Sequence, residues 1–433
     1  MSEPSPSRRL PRALRPFRVG QYRLLTGALT LSLLGSGMWI VAIVFQVMAL
    51  DGTPTDLSFV ATASALGLLG AILIGGVVAD RVPQRSILIA VELARLVAVS
   101  TAAVLALSGA LEIWQLAAIS LLLGIADGFF YPAYSALLPS ILPADQLLAA
   151  NGVEGMLRPS IQQVIGPILA SSLVAAFSPG WAFAVIAVLQ VLGLLWLFVL
   201  RPTPVRREQE ERQHPLRALA SDVRGGFVYM VHTPWFFGTL VFGCAITLII
   251  MGPIEVLLPF AVRDQTGGGP AEFAIVLAAF GVGGAVGSLV VASLTLPRRY
   301  LTIMVMLWGV GCLPLAIIGF TGQLWLMIIA LFVCGVAFSA ASVIWGTLLQ
   351  RRVPPALLGR VSSLDFFISL ALMPLSMAIA GPVDEAVGHA PTFLVAGVVP
   401  VFLALATVII ARLPADELRH PLDAAREAEP TGA

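Results

Sequence analysis

The chain has 433 residues, of which 58% are hydrophobic and only 11% are charged, with a formal net charge of +1. Because soluble domains carry about a quarter charged residues, this composition excludes an ordinary water-soluble protein and predicts a surface that faces lipid. All 25 basic residues are arginine. Since a phosphate-binding loop requires a lysine, ATP-driven transport by this chain alone is also excluded.

A helix needs about 20 apolar residues to cross the hydrocarbon core. Apolar runs separated by polar turns predict twelve such helices. They cover residues 22–48, 57–79, 86–108, 113–138, 151–177, 181–200, 236–261, 272–294, 300–320, 323–349, 361–383 and 392–412. The predicted fold class is therefore an all-α membrane protein with twelve transmembrane helices.

The turn between the second and third spans is short and charged. Residues 76–87 read G-V-V-A-D-R-V-P-Q-R-S-I and resemble the G-x-L-A-D-R-x-G-R-K loop of major facilitator transporters, although Pro83 and Gln84 replace the usual Gly-Arg. In that family the aspartate holds the start of the eleventh span, which here begins near Val361. The resemblance implies a conformational latch formed by Gly76, Asp80, Arg81 and Arg85.

The fourth span points to a particular branch of this superfamily. Its stretch L-L-L-G-I-A-D-G-F-F-Y-P-A-Y-S-A-L-L-P, followed by I-L-P-A-D-Q-L-L-A-A-N, resembles drug exporters related to macrolide and enterobactin efflux proteins. Other drug antiporters carry an arginine in this span. Ser120 stands near that position here, so a proton relay cannot be copied from those relatives.

Five charged residues fall inside spans three to five, where charge is costly and usually functional. They are Glu92, Arg95, Asp127, Glu154 and Arg158. Their depths along the helices, at about 1.5 Å per residue, predict an Arg95–Asp127 pair and a Glu92–Arg158 pair. We expect Asp127 to exchange a proton while substrate and Arg95 compete for it. The alternative is that these pairs are static and only fix helix packing.

Residues 165–171, I-G-P-I-L-A-S, lie in the fifth span and resemble part of the G-P-x-x-G-G element of the antiporters. Gly166 permits a close helix approach, and Pro167 removes a backbone hydrogen bond and kinks the helix. A kink in any packed membrane helix would give the same pattern.

The twelve spans divide into two related halves. Matches at offsets of 214 residues, such as Gly67 with Gly281, and of 211 residues, such as Gly124 with Gly335, predict two pseudo-symmetric six-helix bundles with a substrate site between them. The bundles comprise residues 1–200 and 236–412. Residues 201–235 form a charged linker in which apolar positions from 216 to 230 predict an amphipathic helix, and residues 413–433 form a tail.

Arginine placement predicts the orientation. Every arginine in a turn, the linker or a tail, except Arg263, falls on the side of the two termini, which predicts that both termini are cytoplasmic in a plasma or inner membrane. Three scattered cysteines and four scattered histidines give no metal-ligand spacing, and no hydrolase motif is present. We therefore expect no metal, no cofactor, no nucleic-acid partner and no enzymatic activity, and a monomer.

These patterns together predict a secondary transporter that exports amphipathic drug-like or siderophore-like small molecules in exchange for protons by alternating access. One alternative is a transporter of another substrate, such as a lysolipid or metabolite, which could work by uptake instead of export. A second is a membrane receptor or scaffold without transport, against which the intramembrane charges argue.

Overall fold

A computed structural model describes residues 12–201, 225, 227–294, 296, 298–354 and 357–421. Within these ranges, side chains are described except those of residues 12–14, 73, 76, 77, 79–81, 144, 145, 148, 151, 152, 292, 293, 358–360 and 363. The described part contains twelve helices long and apolar enough to cross a membrane. The predicted number of spans is therefore confirmed.

The first six spanning helices are α1 to α6, and a short 3-10 helix, Arg12–Arg18, precedes them. They are α1 Gly20–Ala49, α2 Pro54–Arg81, α3 Gln84–Ser108, α4 Ile113–Ile141, α5 in three segments (Ala144–Leu157, Arg158–Ile165 and Gly166–Ala176) and α6 Pro179–Val199. The middle segment of α5 is π-helical. We call these six helices the N-bundle.

The second six helices, α7 to α12, form the C-bundle. They are α7 in three segments (Pro234–Gly252, the π-helical Pro253–Leu257, and Leu258–Thr266), α8 Pro270–Ser293, α9 in two segments (Tyr300–Val310 and Leu315–Ile318), α10 Leu324–Arg352, α11 in two segments (Leu358–Leu370 and Met373–Val387) and α12 His389–Ile410. A short helix, α13 Leu413–Arg419, follows. Helix α7 extends five residues beyond the predicted limit of 261: Val262 is buried, the next two residues are the exposed pair Arg263 and Asp264, and Gly267 ends the helix with a left-handed φ of 67°.

The two bundles repeat the same helix crossing. In the N-bundle, Gly124 of α4 packs directly on the backbone of Ser64 in α2. In the C-bundle, Gly335 of α10 packs on the backbone of Phe280 in α8. A side chain at either glycine would overlap the opposite helix, so small residues set the approach. The matched pair Gly124 and Gly335 therefore lies at equivalent crossings, whereas Gly67 packs on α4 and its match Gly281 packs on Gln163 of α5 in the other bundle.

The bundles meet closely at the end of the molecule opposite the termini, which we call the distal end. There the Gly381 N–H of α11 donates to Ser58 Oγ of α2 over 2.8 Å, and the Thr55 N–H donates to the Glu385 carboxylate over 3.1 Å. Gly381 also packs on the Pro54 backbone, leaving no room for a Cβ. These contacts close the distal end.

Two predicted segments are described only in part. Residues 202–224 of the linker, and with them most of the predicted amphipathic helix, lie outside the described residues, whereas 227–232 are helical with Met230 buried and Phe227 exposed. Of the tail, α13 packs on the start of α9: the Glu417 carboxylate accepts hydrogen bonds from the N–H and the hydroxyl of Thr302, over 2.6 and 3.0 Å. This contact satisfies a backbone donor of the first turn of α9.

Candidate functional site: the central cavity

A cavity with two connected lobes lies between the bundles. The polar lobe, of about 320 Å³, is lined mainly by the N-bundle and includes Arg95, Asp127, Ser120, Gln162 and Gln190. The aromatic lobe, of about 180 Å³, is lined mainly by the C-bundle and includes Phe280, Trp308 and Phe338. Ile40 and Glu255 line both lobes. Together the lobes have the size and the mixed lining of a site for a drug-sized molecule.

Three charged side chains of the N-bundle form one cluster at the polar lobe. Arg95 pairs with Asp127 of α4 and, over 3.0 Å, with Glu92 of its own helix. The Ser32 hydroxyl of α1 accepts from Arg95 and donates to the Glu92 carboxylate over 2.8 Å. The predicted Arg95–Asp127 pair is thus present. The same guanidinium also lies 4.8 Å from the Phe130 ring centroid, which fixes its position further.

The cluster contains two carboxylates for one guanidinium. Glu92 is buried, and its second carboxylate oxygen has no hydrogen-bond partner in the described part of the chain. The Asp127 side chain is 41% exposed, and it faces the cavity. Asp127 is the carboxylate that a molecule in the cavity can reach.

The predicted Glu92–Arg158 pair is wrong. Arg158 instead pairs with Glu154 one helical turn away in α5, over 2.8 Å, and bonds to the Tyr131 hydroxyl, with that ring stacked 4.4 Å below its guanidinium. Equal depth along two helices did not determine the partner, because Arg95 lies one turn from Glu92 on the same helix. Glu154 and Arg158 lie outside the lining of both lobes.

The kink element of α5 lies next to the cavity. Gly166 packs against the backbone of Gly37 in α1 so closely that no Cβ would fit, and Pro167 is buried behind it. The preceding π-helical segment brings Gln162 into the polar lobe and Gln163 into the aromatic lobe. Such π-helical turns occur frequently at functional sites, so this element shapes the cavity wall as well as the helix approach.

The predicted latch loop is described in part. Helix α2 runs to Arg81, but the side chains of Gly76, Asp80 and Arg81 lie outside the described residues, so the latch stays a prediction. Arg85 is described and donates to the carbonyls of Leu197 and Phe198 at the end of α6, over 3.1 and 2.8 Å. It therefore satisfies carbonyls at a helix C-terminus within the N-bundle.

One cavity residue, Glu255, was not among the candidate residues predicted from the sequence. With α7 predicted to end at 261, this glutamate fell near the outer end of a span. Because α7 continues to Thr266, Glu255 lies within about 8 Å of the helix midpoint along its axis. The signal that could have identified it is the Gly-Pro pair at Gly252, which precedes the π-helical turn.

Two bundles of six membrane-spanning helices around a charged central cavity define a polytopic membrane transporter. The family model described as Major Facilitator Superfamily matches residues 27–372 and 254–432. The chain belongs to this superfamily.

Named relatives of similar length are efflux proteins. Macrolide efflux protein A of Streptococcus pyogenes is 25% identical over 386 residues, covering 88% of this chain and 93% of that protein. Multidrug efflux pump Tap of Mycolicibacterium fortuitum is 27% identical over 393 residues, with 88% and 93% covered. Enterobactin exporter EntS of Escherichia coli is 26% identical over 345 residues, with 77% and 78% covered.

Solved structures show the same fold. The nucleoside transporter NupG superposes with a TM-score of 0.71 at 14% identity, covering 90% of this chain and 98% of that one. A POT family transporter in complex with 5-aminolevulinic acid gives a TM-score of 0.71 at 14% identity, covering 92% and 96%. These likenesses establish the twelve-helix architecture.

Proposed function

We propose that this protein exports amphipathic, drug-like or siderophore-like small molecules across the plasma membrane in exchange for protons. The observation that carries the proposal is the Glu92–Arg95–Asp127 cluster on the wall of the central cavity. The efflux activities named for the relatives support the direction of transport, and the mixed polar and aromatic lining supports an amphipathic cargo.

The cluster supports proton coupling because it has two carboxylates and one guanidinium. When one proton is bound, the two carboxylates and the guanidinium are balanced, so the cluster can be buried in a low-dielectric site. When a positive or hydrogen-bond-donating group of the cargo enters the polar lobe and reaches Asp127, it stabilises the ionised carboxylate in place of the proton, and the proton is released. Cargo and proton therefore occupy the cluster alternately, which is the requirement for antiport. Arg95, held by Glu92 and Ser32, serves as the fixed partner.

Alternating access follows from the distal contacts. The Gly381–Ser58 and Thr55–Glu385 hydrogen bonds join the bundles at the distal end, and rocking of one bundle against the other would break them to open the cavity there. With the arginine-rich side taken as cytoplasmic, the described conformation is closed toward the outside. Asp80 of the loop after α2 would form the corresponding contact at the other end.

The energy available is sufficient for useful export. One elementary charge moving through 100 mV supplies about 2.3 kcal/mol. At about 1.4 kcal/mol per tenfold ratio, one proton could sustain a concentration gradient on the order of 50-fold.

A susceptibility panel tests the proposal. Cells that express the protein are compared with empty-vector cells against macrolides, cationic dyes and catecholate siderophores, with and without a protonophore. We expect increased tolerance and reduced accumulation of at least one amphipathic compound, both lost with the protonophore. Equal accumulation in the two strains for every compound would contradict export, and protonophore-resistant export would contradict proton coupling.

A further inference from the structure

Glu255 is a carboxylate at the centre of the cavity with no described protein partner. It lies in the middle of the π-helical turn of α7, lines both the polar and the aromatic lobe, and is exposed to them. Among the described residues, none forms an ion pair or a hydrogen bond with its side chain. By contrast, Glu92 and Glu154 are both paired with arginines.

The charge around this site is not balanced by the protein. Arg95 is the one basic residue in the described lining of either lobe, and it already serves Glu92 and Asp127. An unpaired carboxylate in the interior of a membrane protein is costly and usually marks a binding site or an ion pathway. The charge that Glu255 lacks can be supplied by a proton or by a cation that enters the cavity.

The groups beside Glu255 suit an organic cation better than a small ion. The rings of Trp308 and Phe338 lie with their centroids 6.4 Å apart, as do those of Phe280 and Phe338, and aromatic faces attract cations. Ser120 and Gln190 line the polar lobe, and their buried atoms Ser120 Oγ and Gln190 Oε1 have no hydrogen-bond partner among the residues that the structure describes. They are available to polar groups on the cargo.

We propose that Glu255 binds the positively charged group of the cargo, so that the transported class is amphipathic organic cations. The inference rests on the proposed function and narrows its substrate. The aromatic lobe receives the apolar body, Glu255 neutralises the positive group, and another polar group of the same cargo reaches Asp127 in the polar lobe, which Glu255 also lines. An anionic cargo would find no unpaired basic group in the described lining.

Binding to the purified full-length protein in detergent tests this assignment, with tetraphenylphosphonium as the cationic probe and triphenylphosphine oxide as the neutral one, both measured by equilibrium dialysis. We expect Glu255→Gln to weaken tetraphenylphosphonium binding by about tenfold or more, because a charged contact is lost, and to leave binding of the neutral probe within about twofold. Glu255→Asp should retain most of the affinity. Glu112→Gln, at an exposed glutamate in the distal turn before α4, is the matched control and should behave as wild type.

The outcomes separate this inference from the proposed export. If wild-type protein does not bind tetraphenylphosphonium, or if Glu255→Gln binds it as wild type does, Glu255 is not the cation site, whatever the export assays give. If binding depends on Glu255 but expressing cells export no compound, the cation site stands and the export function fails. Equal loss of both probes in Glu255→Gln, with an altered gel-filtration profile, would indicate misfolding; Glu255→Asp then decides, because only a charge-specific site retains the cationic probe in that variant.

Discussion

Gly381 should control whether the distal end can close. Its backbone packs on Pro54 and Thr55 of the opposite bundle, and a Cβ at this position would overlap their backbone atoms, which cannot move aside as a flexible side chain can. Overpacking of this kind costs about 1–3 kcal/mol. The cost arises only when the bundles meet, so Gly381→Ala should shift the equilibrium toward the distal-open state by about 5- to 140-fold.

Double electron–electron resonance, which measures the distance between two spin labels, would detect that shift. Spin labels are placed at Ser108 on the N-bundle and Phe320 on the C-bundle, both exposed at the distal end, in a background whose three free cysteines are replaced by alanine. Gly346→Ala is the control, because a Cβ there meets no atom within 4 Å. We expect a longer distance population in Gly381→Ala alone. Identical distance distributions in the two variants would refute the assignment of Gly381 to a state-dependent contact.

Three further predictions concern the loop, the kink and the tail. Asp80→Asn should impair transport while expression stays near normal, because a carboxylate at a helix N-terminus contributes about 0.3–1 kcal/mol; full transport by this variant in vesicles would count against the latch. Gly166→Ala should lower the melting temperature and transport together, since no Cβ fits against Gly37, whereas Gly155→Ala, which meets open space, should do neither; equal melting temperatures would contradict the close packing. Burial raises the pKa of the Glu417 carboxyl, although hydrogen bonds from Thr302 act in the opposite direction. The folded state therefore keeps the carboxyl proton to a higher pH than the unfolded state does. Stability should fall as the pH rises above about 4.5, the unfolded value, through the folded pKa. Glu417→Gln should flatten that part of the melting-temperature profile, and an unchanged slope would show that other groups cause it.

Much of the fold was predictable because lipid imposes a simple rule on sequence. A helix that crosses the bilayer must be apolar over about 20 residues, so each span appears as an uninterrupted run. Gly124, at the crossing of α2 with α4, and Gly335, at the crossing of α8 with α10, repeat at an offset of 211 residues and indicated the two bundles. The limits of α7 were less predictable, because the polar pair Arg263–Asp264 sits on a helix that continues beyond the apolar run.

The site was predictable only in part, because few charged residues lie within the spans and this limits the partners that each can have. A lone arginine and a lone aspartate at equal depth on adjacent spans had few other partners, and Arg95 and Asp127 do pair. Glu92 pairs with Arg95 because the two lie three residues apart on α3 and share one helix face, and the rotation of α3 places Glu92 against Ser32. The depth of a residue along its helix, which the sequence gives, contains no information on how the helix is rotated about its axis. For the same reason the distal contacts of Gly381 with Ser58 and Pro54, which depend on how two bundles meet, had no local signal.

The measurement that tests the account most directly is export driven by a pH gradient in proteoliposomes, with wild type, Asp127→Asn and Asp51→Asn compared for one exported compound. Asp51 is exposed, outside the lining of the central cavity and left-handed in backbone conformation, which asparagine tolerates, so its variant should export as wild type does. The account predicts that Asp127→Asn loses gradient-driven export yet still binds the compound and exchanges it without an energy source. Export against a gradient by Asp127→Asn, with unchanged pH dependence, would show that the Glu92–Arg95–Asp127 cluster is structural and that protons are coupled elsewhere.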